Sequence, residues 1–135
     1  MVGILLLTHA PLGQAFLGAA AHVFRAPPER LEALDVRPDQ EPAEVEQLAH
    51  AAIARLDDGT GVLVLTDIMG GTPSNCCSDI ALAGRVEVVA GLSLPMLLRA
   101  LTYRTDTLEV AAEMAVAGGQ AGAVRVDRRI RLAIN

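Results

Sequence analysis

The chain has 135 residues, enough for one domain with a real core and short for two. A net charge of -5 excludes the broad basic footprint from which nucleic-acid recognition begins, the only basic cluster being Arg125, Arg128, Arg129 and Arg131. The longest apolar stretches, residues 1–7 and 86–101, are too short or too interrupted by Gly91, Ser93, Pro95 and Arg99 to cross a bilayer, and no secretory pattern follows Met1, so a cytoplasmic location is expected.

Short apolar runs alternate with helix-period segments, which predicts an α/β fold of parallel strands joined by crossover helices. The first strand is read over residues 2–7, an unbroken apolar run of the kind found where both faces of a strand are covered. A helix follows over residues 11–24, then a break at Pro27 and Pro28, then a weaker strand over residues 31–36. Val45, Leu48, Ala49, Ala52, Ile53 and Leu56 recur on one helical face, and that helix ends at Asp57-Asp58-Gly59.

Residues 62–66 form the third strand, with Asp67 at its carboxyl end. Thr72 and Pro73 supply an N-cap and a first-turn proline for a helix running to about Ala83. A fourth strand over residues 85–90 and helices over 94–103 and 107–116 complete the pattern. Gly118-Gly119-Gln120-Ala121-Gly122 has the composition of a linker. Beyond it Val124 and Val126 alternate with Arg125 and Asp127, as in an antiparallel edge strand able to pair with its own sheet or with a second subunit.

The expected architecture is therefore a single domain holding an open four-stranded sheet of order 2-1-3-4, with helices on both faces. Ligands of such sheets bind outside the carboxyl ends of the strands where strand order reverses, here between the first and third strands. The sequence places Thr8-His9-Ala10-Pro11 on one of the two loops at that point and residues 67–73, DIMGGTP, on the other. The set suits a phosphohistidine. A neutral imidazole is nucleophilic, and a carboxylate that accepts from one ring nitrogen fixes the tautomer and leaves the lone pair of the other for phosphorus. His9 is the candidate acceptor and Asp67 its orienting partner; the amides around Gly71 and Thr72, and those opening the helix after Pro11, are candidates to hold the phosphoryl oxygens.

Other residues carry plainer readings. His22 and His50 fall within predicted helices, and the adjacent Cys76 and Cys77 form neither a disulfide framework nor a metal-ligand spacing. No metal and no cofactor is expected.

Three segments, GILLLTH over residues 3–9, LTDIMGGTPSN over 65–75 and AGLSLPMLL over 90–98, stand in the order and spacing of one family. The chain resembles the mannose-type IIA proteins of the bacterial phosphotransferase system over nearly its whole length. That resemblance implies that phosphate derived from phosphoenolpyruvate passes through Enzyme I and HPr to Nε2 of His9, with Asp67 on Nδ1, and then to a IIB component. It also implies a homodimer and a membrane association that is indirect, through IIC and IID subunits. The chain departs from the family at Ala10, where glycine is common, at Met69 and Ser74, where large aromatic residues are common, and at Ser93, where asparagine is usual.

A response-regulator receiver shares this strand order, and Asp67 sits where such a domain is phosphorylated. Receivers need an acidic pair after the first strand and a lysine late in the chain, and all 11 basic residues here are arginine. The same lack removes a Walker-type phosphate loop. A dihydroxyacetone-kinase phosphocarrier is closer kin but fits the GGTPSN loop less well. The remaining alternative is a regulatory binding module, whose partner affinity is set by phosphorylation of His9 without any sugar being moved.

Overall fold

The computed structural model describes residues 1–68, 80–81 and 85–127. Strands β1 (Gly3–His9), β2 (Leu31–Val36), β3 (Val62–Thr66) and β4 (Val86–Ala90) form one sheet of order β2-β1-β3-β4, and every pairing is parallel. The described helices are α1 (Leu12–Phe24), α2 (Pro42–Leu56), α3 (Leu94–Tyr103) and α4 (Leu108–Gly122).

β1 is central, and its residues from Gly3 to Thr8 are all buried because both faces are covered. Alternation sorts its side chains into two cores. Ile4 and Leu6, with Leu63 and Leu65 of β3, pack against α1, α3 and α4, while Leu5 and Leu7, with Val62 and Val64, pack against α2 and Ile80. The register Ile4↔Leu63 and Leu5↔Val64 keeps like-facing residues side by side. Each such leucine contributes roughly 1.5–3 kcal/mol by leaving water.

Right-handed crossovers explain the two faces. The step from β1 to β2 runs one way along the sheet and the step from β2 over to β3 runs the other, so α1 and α2 lie on opposite sides. The carboxyl ends of β1 and β3 thereby flank the switch point.

Local signals set the helix ends. Pro42 opens α2 at its first turn, the Ser93 hydroxyl accepts from Met96 N–H at 3.3 Å to cap α3, and Thr107 accepts from Val110 N–H at 3.2 Å to cap α4. Serine and asparagine cap about equally well, so the departure at Ser93 keeps the helix start intact. Ala10 is likewise accommodated: among described non-glycine residues positive φ occurs at Arg25 and Arg30, not at Ala10.

One expectation is corrected. Gly118 to Gly122 are not a linker but the last turns of α4. A Cβ on Gly118 would lie 2.7 Å from Arg99 Cβ and 3.0 Å from Pro95 O, and one on Gly122 would lie 2.5 Å from Pro95 Cβ. The glycines are there so that α4 can lie close against α3. Residues 123–127 then pair with none of the described strands of this chain, with Val124 and Val126 exposed. The remainder of the expected edge strand, and the expected helix after Pro73 apart from Ile80 and Ala81, lie outside the described residues, as do Cys76 and Cys77.

Candidate functional site at the switch point

His9 is the last residue of β1 and Asp67 directly follows β3, so the sheet itself delivers both. The ladder between the two strands runs as far as Leu7↔Thr66. Beyond it a side chain takes over: Asp67 Oδ2 accepts the backbone N–H of His9 at 3.0 Å. On the other side His9 stays in register with Val36, and Ala10 N–H donates to Val36 O at 2.9 Å. His9 was expected on a loop; these contacts instead extend β1 through it.

The same Oδ2 lies 2.8 Å from His9 Nδ1. Asp67 Oδ1 accepts from Ile68 N–H at 3.0 Å. Burial pushes the Asp67 carboxyl up, but the hydrogen bonds from His9 N–H, His9 Nδ1 and Ile68 N–H together outweigh it and hold the group below the ordinary aspartate value. The carboxylate is therefore ionised at neutral pH and acts only as an acceptor, which places the ring proton on Nδ1 and the lone pair on Nε2. The His9 side chain is 45% exposed and that of Asp67 is 10% exposed. An imidazole facing outward on a sheltered carboxylate is accessible to another macromolecule.

The sequence reading did not single out Asp35, which lies near the end of β2. Its Oδ1 accepts from Thr8 Oγ1 at 3.1 Å and from Gly13 N–H at 2.8 Å, and its Oδ2 accepts from Gln14 N–H at 3.3 Å. Pro11, at the N-cap position of α1, makes no side-chain cap bond, so a carboxylate from the neighbouring strand does that work. Gly13 is required there, since a Cβ would lie 2.5 Å from Asp35 Oδ1. The only sequence signal was an aspartate one residue before the end of a strand whose other charged residue, Glu32, lies near its start.

This corrects one expectation. The amides of Gly13 and Gln14, which were expected to be available for phosphoryl oxygens, are already taken by Asp35. Gly71 and Thr72, the other candidates for that role, lie outside the described residues. His22 is exposed on α1, and His50 is exposed on α2 with its Nε2 3.7 Å from Glu46.

A family model described as PTS system fructose IIA component matches residues 3–117. The chain belongs to this IIA family. Among curated relatives, it is 30% identical over 124 residues to the PTS system mannose-specific EIIAB component of Escherichia coli K12, covering 90% of this chain and 38% of that protein. The chain thus spans well under half the length of that relative. It is also 30% identical over 98 residues to the PTS system sorbose-specific EIIA component of Lacticaseibacillus casei, covering 70% and 68% of the two chains.

Solved IIA structures share the fold. The phosphotransferase system component EIIA from Streptococcus agalactiae superposes with a TM-score of 0.82 at 22% identity, over 93% of this chain and 97% of that one. A mannose/sorbose specific IIA subunit from Enterococcus faecalis gives 0.81 at 20% identity, over 93% and 95%. The strand order expected of a IIA domain is the order observed here. Among the described residues no helix is long and apolar enough to cross a membrane.

Proposed function

We propose that this IIA domain is a phosphohistidine carrier that takes a phosphoryl group on Nε2 of His9 from phospho-HPr and passes it to a IIB component. The observation that carries the reading is the 2.8 Å contact between His9 Nδ1 and Asp67 Oδ2. The Nε2 lone pair attacks the phosphorus; the new N–P bond forms as the P–N bond to the donor's histidine breaks, and the donor ring recovers its lone pair. Throughout, the Nδ1 proton stays on the acceptor ring. The phosphorylated imidazole then carries positive charge, and the adjacent, sheltered Asp67 carboxylate stabilises it.

Gly71 and Thr72 are proposed to hold the phosphoryl oxygens through backbone amides. Exposed Leu12 and Ile68 flank His9 and Asp67 in the chain and offer apolar contact to an incoming carrier. The site of action is the cytoplasm, where the donor resides, and a second copy of the chain is the proposed partner in a homodimer.

The test is intact mass after incubation with phosphoenolpyruvate, Enzyme I and HPr. One acid-labile phosphoryl group is expected on the wild-type chain and none on His9→Ala. Modification of both would displace His9 as the acceptor, and modification of neither, with HPr shown active, would reject the carrier reading.

A further inference from the structure

One carboxylate binds the chain on both sides of His9. Before it, the buried Thr8 hydroxyl donates to Asp35 Oδ1; after it, Gly13 N–H donates to the same oxygen and Gln14 N–H to Oδ2. Between these anchors lie only His9, Ala10, Pro11 and Leu12. The His9 imidazole meets Asp67 from one side of the sheet, whereas Asp35 grips the flanks of His9 from β2 on the other side of β1.

We infer that Asp35 is a positioning residue for phosphoryl transfer, fixing the backbone on both sides of His9 so that Nδ1 meets Asp67 and Nε2 points outward. The inference rests on the carrier reading above for its kinetic readout, but not for its spectroscopic one.

Two physical effects follow from this placement. Two free N–H groups at the start of α1 would form an anion site competing for the phosphoryl group, and a carrier must release that group as well as accept it. Asp35 occupies those amides. Its hydrogen bonds also limit how far His9 can swing, and a displacement of about 1 Å at a reacting atom costs as much as 10²-fold in rate. Gly13 belongs to the same device, because any side chain there would displace the carboxylate.

The experiment compares wild type, Asp35→Ala, Asp35→Asn and Thr8→Val in two measurements. The first is the rate of phosphorylation by phospho-HPr, resolved into kcat and KM. The second is the ¹⁵N spectrum of the unphosphorylated His9 ring, which reports which nitrogen carries the proton. Asp35→Ala is expected to lower kcat by about tenfold with KM within about twofold, and to mix the two ring tautomers. Asp35→Asn retains an oxygen for Thr8 and Gly13 and should recover most of both the rate and the single Nδ1–H tautomer.

A folded Asp35→Ala with wild-type kcat and an unmixed tautomer overturns the inference. So does a rate loss confined to KM. Should Asp35→Ala fail to fold, Thr8→Val decides: a kcat lowered by roughly threefold with a shifted ring signal supports the role, and wild-type values refute it. A wild-type chain that accepts no phosphate would reject the carrier reading alone, since the tautomer comparison still tests Asp35.

Discussion

In the proposed carrier His9 and Asp67 divide two tasks between them, one exposed to exchange phosphate and the other sheltered to hold a proton in place. Asparagine at position 67 separates these tasks. Its amide nitrogen can donate to Nδ1, which would move the ring proton to Nε2 and block the nucleophile. Asp67→Asn is therefore expected to slow phosphorylation by about 10²-fold or more while the domain stays folded, measured as the single-turnover rate with phospho-HPr. Wild-type kinetics in this variant would sink the tautomer role. The same carboxyl also gives a stability signature with a definite sign. Its folded pKa is lowered, so its contribution is complete above the unfolded value of about 3.9 and is lost as pH falls through the depressed folded value. In urea unfolding at a series of pH values, the stability gap between wild type and Asp67→Asn should narrow as pH falls below about 4. A gap that widens on acidification would mean that the hydrogen bonds do not outweigh burial.

At the level of elements, the packing of α4 on α3 turns the glycine cluster near the chain's end into a matched pair of tests. Gly118→Ala gains about 1 kcal/mol of helix propensity, but its Cβ would meet Arg99 Cβ at 2.7 Å and Pro95 O at 3.0 Å, atoms that cannot move without the helices parting. Gly119→Ala meets only the Met96 Cε tip at 2.7 Å, which can rotate away. Thermal unfolding should therefore show Gly118→Ala destabilised and Gly119→Ala neutral or stabilised; equal shifts would refute close packing as the reason for Gly118. That glycine cluster also marks where the sequence misleads. β2, β3 and α3 were legible to their end residues, because apolar runs bounded by proline, glycine and aspartate encode strand and helix length locally. Gly118-Gly119 reads as a linker because a helix's need for small residues is set by its neighbour, which composition does not display. Residues 123–127 alternate in pattern yet pair with none of the described strands of this chain, since alternation describes a possible face and not a partner. His9 and Asp67 were legible from their place at two strand ends, whereas Asp35 was not, because its partners are backbone amides 21 and 22 residues away and a hydroxyl 27 residues away.

Across the whole molecule the two ends of the sheet do different work. At the carboxyl ends lie His9, Asp67 and Asp35. At the amino ends the buried Arg104 ties the strand starts together: Nε donates to Val2 O at 3.0 Å, Nη1 to Glu29 O at 2.6 Å and Nη2 to Arg30 O at 2.7 Å, while its own carbonyl accepts from Val2 N–H at 2.9 Å. Burial pushes the guanidinium pKa down, and nearby Arg30 adds to this, so the group is held at a cost that its carbonyl partners offset. Arg104→Met would keep the apolar stem and remove a donor from three carbonyls, of which Arg30 O keeps the Ile4 N–H, for a loss of about 3 kcal/mol, or about 10 °C in Tm for a domain of this size. Seven-residue β1 sets these two ends about 20 Å apart, beyond the range at which substitutions ordinarily couple. At a temperature well below unfolding, Arg104→Met should therefore phosphorylate at the wild-type rate, and Asp67→Asn should lose rate with little change in Tm at neutral pH beyond its own hydrogen bonds. In the double variant the two losses should add, with the rate of Asp67→Asn and a Tm lowered by the sum of the single effects. A rate in the double variant far below that of Asp67→Asn alone would show that the strand starts and the His9 site move together, and that the rigid sheet inferred from its all-parallel, doubly covered core transmits strain from one end to the other.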